Sequence, residues 1–313
     1  MKKFVIGVDI GGTSIRFISS DMDEDSISKI QKMAFIQRKT VEEEVEENLL
    51  NHINMICRRK RLEGSELCGI GIAMAALFDR STGEINTWPN RQKWNNYPLL
   101  WALKERYHVP IVFEDDANAA ALGEQFAGAA KEYDSLAYVT VSTGIGCGVV
   151  INNSLLIGNK GWAAELGHIK VTNDDILCTC GAKGCLQAVA SGWAIQRMYN
   201  KAKRSEENEK FELKDIAALA LNGDKTAKEL FVKAGTYIGD AIANVAIMMD
   251  VPIIVLGGGV ILTEGLILEP ILEQFKKSIQ KKRDVKIGIS TLYDRNGVIG
   301  ACSLIKKRIN SGA

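Results

Sequence analysis

Phe4 to Val8 is a short apolar run interrupted only by Gly7, Asp9-Ile10-Gly11-Gly12-Thr13 follows as a turn, and Ser14 to Ser20 is rich again in apolar and small residues. A brief apolar run bounded by turn residues reads as a buried strand, and glycines give the backbone the freedom a tight reversal requires. The segment therefore predicts a glycine-turned hairpin. The same design recurs where Leu136 to Val141 runs into Ser142-Thr143-Gly144-Ile145-Gly146 and returns through Cys147-Gly148-Val149-Val150-Ile151. Aligning Asp9 with Ser142 gives an offset of 133 residues. Each half then carries a short strand ending at a small-residue loop: Gly69 to Ala73 in the first, and Ile253 to Leu256 before Gly257-Gly258-Gly259 in the second. The chain reads as a diverged duplication.

Between these landmarks lie helix-like segments, notably Val41 to Arg59, Pro98 to Tyr107, Ala117 to Phe126, Ser191 to Arg204 and Lys225 to Met249. Strands alternating with helices predict an α/β architecture whose sheets are covered on their faces. Two such lobes predict a cleft between them, with one hairpin turn from each converging on a small molecule.

Composition narrows the partners. The 39 Lys and Arg against 38 Asp and Glu leave a net charge of +1, without the dense cationic face that nucleic acid or anionic lipid demands. The start, Met1 to Asp9, has too short an apolar stretch for a secretory leader, and the run Ile242 to Val255 is broken by Asn244, Asp250 and Pro252, short of a membrane span. A cytoplasmic protein is expected. Three of the seven cysteines fall between positions 178 and 185, and in a reducing compartment such a cluster points to a metal before a disulfide.

Four features carry candidate chemistry. Successive N–H groups of the two glycine turns suit phosphate oxygens, while the Asp9 carboxylate and Thr13 hydroxyl suit the hydration shell of a Mg²⁺ ion; either turn alone also serves simply to close a hairpin. Glu114-Asp115-Asp116 stands at a strand end before a helix, where three carboxylates are costly to bury without a function or a counterion. Asp116 is placed as a general base for an alcohol, and the alternative is helix capping by Asp115 or Asp116. His168, Cys178, Cys180 and Cys185, spaced H-x9-C-x-C-x4-C, make a closed tetrahedral zinc set, with unliganded thiols as the other reading. Cys57, Cys68, Cys147 and Cys302 lack such company and read as core. Gly257-Gly258-Gly259 either passes beneath a nucleotide or turns the chain, and Trp88-Pro89-Asn90 through Trp94 and Tyr97 either lines a sugar site or packs internally.

In combination these residues resemble the ROK family, named for repressor, open reading frame and kinase. Asp9-Ile10-Gly11-Gly12-Thr13, Asp116-Ala117-Asn118-Ala119-Ala120, Glu165-Leu166-Gly167-His168, the cysteine cluster and Gly257-Gly258-Gly259 occur in the family's order over nearly the whole chain. The resemblance implies the two-lobed, duplicated, ribonuclease H-like fold of actin, hexokinase and Hsp70, with lobes at 1–118 and 119–313 and a last helix that packs back on the first lobe. It implies ATP-dependent phosphorylation of a hexose or acylated hexosamine at the 6-hydroxyl, glucose being the best guess, in a cytoplasmic homodimer. Asp116 would be the base. Ala76, Asn90, Asp115, Asp116, Glu165, His168 and Gln187 would meet the sugar. Asp9, Gly11, Gly12, Thr13, Thr143, Gly144, Gly146, Gly257 and Gly258 would hold Mg-ATP, and His168, Cys178, Cys180 and Cys185 a structural zinc.

Three positions depart from the family pattern: Asp115 stands for Asn, Gln187 for Glu, and Ala75-Ala76 for Pro-Gly. All three lie at expected sugar contacts, which leaves allose, mannosamine and glucosamine derivatives as alternatives to glucose. A regulator of the same family would carry a DNA-binding module ahead of the strand at Phe4, which is not expected here. A non-catalytic sugar binder would account for Asp115 and Gln187, but it leaves Asp116 without a purpose.

Overall fold

Each glycine-turned hairpin lies at the heart of its own five-stranded sheet. In the computed structural model, which describes residues 2–11, 14–23, 36–39, 45–88, 92–203, 210–263, 265–279 and 283–312, β1 (Lys2–Ile10) pairs antiparallel with β2 (Ser14–Asp21), Ile10 opposite Ile15. β3 (Ile36–Lys39) extends β2, and β4 (Ser65–Met74) lies parallel to β1 on its other side. β5 (Leu77–Phe78) and β6 (Ile85–Thr87) form a separate ribbon, and β7 (Ile111–Asp115) completes the order β3-β2-β1-β4-β7. In the second sheet β8 (Leu136–Val141), β9 (Ile145–Ile151), β10 (Ser154–Leu155), β11 (Ile253–Gly257) and β12 (Lys286–Ile289) run in the order β10-β9-β8-β11-β12. Both sheets have a central hairpin, an antiparallel third strand on one side and two parallel strands on the other. The internal repeat read from two loops is thus a repeat of topology.

The helices are α1 (Val45–Leu62), α2 (Leu99–Tyr107), α3 (Asp116–Ala127), α4 (Leu186–Ala190), α5 (Gly192–Lys203), α6 (Leu213–Leu221), α7 (Lys225–Met249), α8 (Leu268–Ser278) and α9 (Asn296–Asn310). In β1, alternate side chains serve different cores. Phe4, Ile6, Val8 and Ile10 pack with Leu49, Ile53 and Ile56 of α1 and Leu99 and Leu103 of α2, whereas Val5 joins Val298, Ile299, Cys302 and Ile305 of α9. Burial on both faces explains the near-continuous apolar run, and each such Ile, Leu or Phe contributes on the order of 2 kcal/mol. Glycine is required where α9 meets α3: a Cβ on Gly300 would overlap the Ala119 carbonyl.

The chain forms two compact units, Met1–Glu132 with Thr291–Ala313, and Tyr133–Ser290. The sequence-based boundary at 118/119 falls inside α3. That helix is continuous and its buried face, including Ala119 and Gly123, packs on α9, so the first unit ends beyond it.

In the second unit α7 runs from Asp224, whose carboxylate caps it by accepting the Ala227 N–H at 2.9 Å, to Asp250 in the left-handed region at φ 52°. Among the described residues α7 alone is long and apolar enough to cross a membrane by length and composition. Much of its apolar character comes from one face, Phe231, Ile238 and Ile242 with the alanines and glycines between them, buried in the second core, while Val232 and Met248 are exposed. Lys225, Lys228, Glu229 and Lys233 lie on the exposed side.

Candidate active site

The strand end Glu114-Asp115-Asp116 assigns its three carboxylates three different tasks. Asp115 is the N-cap of α3. Its Oδ1 accepts the N–H groups of Ala117 (3.0 Å) and Asn118 (3.2 Å), meeting two of the unpaired donors at the helix start. Asp116, the next residue, is half-buried, and burial raises its carboxyl above the ordinary range. Glu114 is 2% exposed and receives a bidentate fork from Arg80, at 2.7 Å to Oε2 and 2.5 Å to Oε1. The Asp115 N–H and the Asn118 amide also donate to Glu114, at 2.9 and 3.0 Å. Arg80 lies over the Phe78 ring at 5.2 Å. Arg80 is the counterion that three clustered carboxylates demanded. Its distance of 34 positions from Glu114, with no motif around it, is why sequence reasoning did not name it.

Asp9, near the end of β1, is 9% exposed. Burial pushes its carboxyl up to about 6, opposed by the attraction of Arg16 and reinforced by the charge of Asp116. Arg16 Nη1 donates to Asp9 Oδ2 at 3.1 Å, and Arg16 Nη2 reaches Asp294 at 3.8 Å. The first turn of α9 lies against this carboxylate, where a Cβ on Gly297 would stand 3.2 Å from Asp9 Cγ. The Gly11 N–H donates to the Ser14 carbonyl at 2.9 Å, closing the hairpin. Gly12, Thr13 and Asn90 lie outside the described residues. Ala76 is a buried member of the first core. Of the aromatics expected either at a sugar or in the interior, the two tryptophans are interior: Trp88 is fully buried and Trp94 packs edge-on to it at 5.8 Å, while half-buried Tyr97 packs on Trp94 at 4.9 Å.

In the second unit the 142–146 turn is knitted to two other segments. Ser142 N–H donates to the Gly144 carbonyl at 2.9 Å, and the Ser142 carbonyl accepts Gly192 N–H at 2.8 Å at the start of α5. The Val141 carbonyl accepts Val260 N–H at 3.1 Å, which draws Gly257-Gly258-Gly259 alongside, with Gly257 opposite Thr140. Gly258, at φ 92°, abuts the Val141 backbone and admits no side chain. Thr143, Gly144 and Gly259 are exposed and Gly146 is half-buried. Such a surface, mostly bare backbone with the hydroxyls of Ser142 and Thr143, can approach phosphate oxygens closely.

The His168, Cys178, Cys180 and Cys185 donor atoms lie within 4.8 Å of one another. Cys178 Sγ to His168 Nδ1 and Cys180 Sγ to Cys185 Sγ are both 3.7 Å. A tetrahedron with zinc–sulfur bonds of ~2.3 Å has edges of about 3.8 Å, so the set fits that metal. Gly181 and Gly184, at φ 89° and 79°, allow the loop to curl around it. Burial pushes the Cys185 thiol up to about 12, helped by its thiol neighbours. Burial also opposes ionisation of Cys178, but hydrogen bonds from the Cys180 backbone, Gln187, Cys180 and His168 prevail and bring it down to about 6. On the other side of the imidazole, Glu165 Oε2 lies 3.9 Å from His168 Nε2, beyond direct hydrogen-bond reach. Ala164, just before Glu165, holds φ 64°, at a cost of about 1 kcal/mol for a non-glycine residue. Gln187, at the start of α4, adjoins the cluster, its Nε2 donating to Thr179 Oγ1 at 3.1 Å.

A family model described as "ROK family" matches residues 5–308. A glucokinase of Thermotoga maritima is 32% identical over 319 residues, spanning 97% of this chain and 98% of that protein. Among solved structures, a ROK hexokinase from Thermus thermophilus aligns with a TM-score of 0.86 and 31% identity, over 99% of this chain and 100% of that one. A ROK family glucokinase from Streptomyces griseus, crystallised in complex with glucose and AMPPNP, aligns with a TM-score of 0.76 and 30% identity, over 96% of this chain and 98% of that one.

Proposed function

Because the chain belongs to the ROK family, we infer that it is an ATP-dependent hexose kinase of the glucokinase kind, moving the γ-phosphoryl group of ATP to the sugar's 6-hydroxyl. It is a sugar kinase with the duplicated α/β fold of the actin and hexokinase class. The observation that carries the site assignment is the separation of labour at 114–116: Asp115 is engaged as a cap and Glu114 as the partner of Arg80, which leaves Asp116 for chemistry.

In this reading Asp116 takes the proton of the attacking hydroxyl as the new oxygen–phosphorus bond forms. The bond from the γ-phosphorus to its bridging oxygen breaks, and the electron pair leaves on ADP. The raised affinity of Asp116 for a proton makes its ionised form a stronger base. Asp9 and the Gly11-Gly12-Thr13 turn hold the Mg²⁺ side of the nucleotide, and the 143–146 and 257–258 backbones hold ATP. Mg²⁺, when bound, neutralises charge on the transferring phosphoryl group. The histidine and three cysteines hold a structural zinc that fixes the loop bearing Glu165 and His168, with Gln187 beside it. A cytoplasmic homodimer completes the reading.

The Asp115 departure leaves the helix cap as it would be in the family pattern. Its working oxygen only accepts hydrogen bonds, a role the carbonyl of an Asn fills equally well, so the exchange keeps the cap. The deciding experiment is ADP release from Mg-ATP with glucose, allose, mannose, fructose, N-acetylglucosamine and N-acetylmannosamine, beside Asp116→Asn. Turnover of glucose that the variant abolishes is the expected result. Preference for another sugar moves the substrate alone, whereas a folded, zinc-loaded protein inert toward all six overturns the glucose assignment and favours a sugar-binding protein or a sugar outside the six.

A further inference from the structure

Gln187 lies beside three of the sites named above. Its Nε2 stands 3.5 Å from Cys178 Sγ and donates to Thr179 Oγ1 at 3.1 Å. Its Oε1 faces the other way: a Cβ on Gly144 would lie 3.3 Å from it, and one on Gly167 3.4 Å. One planar amide therefore spans from a metal-ligand sulfur to the phosphate-type turn and to the residue preceding His168. A carboxamide suits both ends, since its NH₂ donates to a thiolate while its carbonyl packs against bare backbone. A carboxylate at this place would set a second negative charge beside the sulfur, and a leucine would fill the space with no donor.

We propose that Gln187 is a positioning residue that couples metal occupancy of the His168, Cys178, Cys180 and Cys185 set to ATP binding at the 142–146 turn; the proposal rests on the kinase reading of that turn. Three thiolates and a neutral imidazole around Zn²⁺ carry a net negative charge, and an N–H donated to Cys178 offsets part of it. Metal-bound, the sulfur has one fixed position, so the amide has one rotamer and its carbonyl braces Gly144. Metal-free, the sulfur can turn about its own bond and the brace loses its anchor. Linkage makes the effect reciprocal: whatever factor the metal adds to nucleotide affinity, the nucleotide adds to metal affinity.

The test follows zinc transfer from the loaded full-length protein to a chromogenic chelator, with and without ADP, in the wild type, Gln187→Leu and Gln187→Glu, with ADP binding measured separately by calorimetry. We expect ADP to tighten zinc retention by roughly 5-fold or more in the wild type and by nothing in either variant. Zinc stripping should raise the ADP dissociation constant of the wild type by the same factor that ADP tightens zinc. ADP that binds the wild type without altering zinc retention overturns the coupling while sparing the kinase reading. Failure of ADP to bind the zinc-loaded wild type overturns both, and coupling that survives undiminished in folded Gln187→Leu or Gln187→Glu overturns the role of Gln187.

Discussion

Replacing Asp9 by Asn is expected to stabilise the protein above neutral pH while impairing it as an enzyme. The folded chain raises this carboxyl from 3.8 to about 6, chiefly through burial. Between about pH 4 and pH 6 the folded state holds a proton that the unfolded state has released, so the contribution of Asp9 to stability falls as pH rises through that window. Above it, the ionised group costs the fold roughly 2 pK units at 1.36 kcal/mol each, on the order of 3 kcal/mol. Asparagine keeps an acceptor for Arg16 Nη1 and carries no charge to desolvate, but it leaves Arg16 only its longer pairing with Asp294 at 3.8 Å. The net gain at about pH 8 is therefore expected at ~1–3 kcal/mol, or about 2–4 °C in melting temperature per kcal/mol for a unit of this size. Calorimetric melts of both proteins at about pH 8 and pH 4.5, beside the ADP-release assay, measure it. The gap should narrow to about a third at the lower pH, where the folded wild-type carboxyl is protonated but the unfolded one is still mostly ionised. A variant that is less stable at pH 8, or whose advantage is the same at both pH values, refutes the reasoning.

Asp116→Asn should lower kcat by roughly 10²- to 10⁴-fold with little change in KM for sugar, and wild-type kcat should fall as acidification protonates a base whose pKa is raised; steady-state rates across pH check both. Arg80→Ala strands the Glu114 carboxylate in the interior and should cost about 3–5 kcal/mol in urea unfolding, with Arg80→Lys recovering only part because a lysine cannot form the fork. Metal analysis of the purified protein should find one zinc per chain, absent from Cys178→Ser, and chelation should lower the melting temperature of the second unit. Gly300→Ala should destabilise by roughly 1–3 kcal/mol, since its methyl group would overlap the Ala119 carbonyl and crowd the Gly123 backbone nitrogen.

The hairpins and the buried strands were legible because period and punctuation encode them directly: Asp9 to Thr13 and Ser142 to Gly146 both turn where glycine clusters. Helix α7 was legible to its last residue, since Asp224 and the polar break at Asp250 bracket it. What escaped depends on contacts distant in sequence. Nothing near Arg80 announces Glu114 as its partner, and nothing in the run 109–127 tells that α3 needs α9 and so belongs with residues before 132. Asp115 and Asp116 were equal candidates for the cap on sequence, and only the backbone direction at the strand end decides between them. Trp88 and Trp94 carried the right chemistry for a sugar, yet the interior claimed them.

The first unit is discontinuous, with the whole second unit interposed between α3 and α9. A ribosome therefore emits Asp9, Asp116 and all of 133–290 before the helix that seals the Asp9 side of the first sheet exists. The usual amino-to-carboxyl order of assembly is inverted: the second unit can mature on the ribosome while the first waits with Val5 and Ile18 uncovered. During synthesis, the vulnerable surface for chaperones and proteases is the sheet that carries Asp9, so enzymatic competence is the last property the nascent chain acquires.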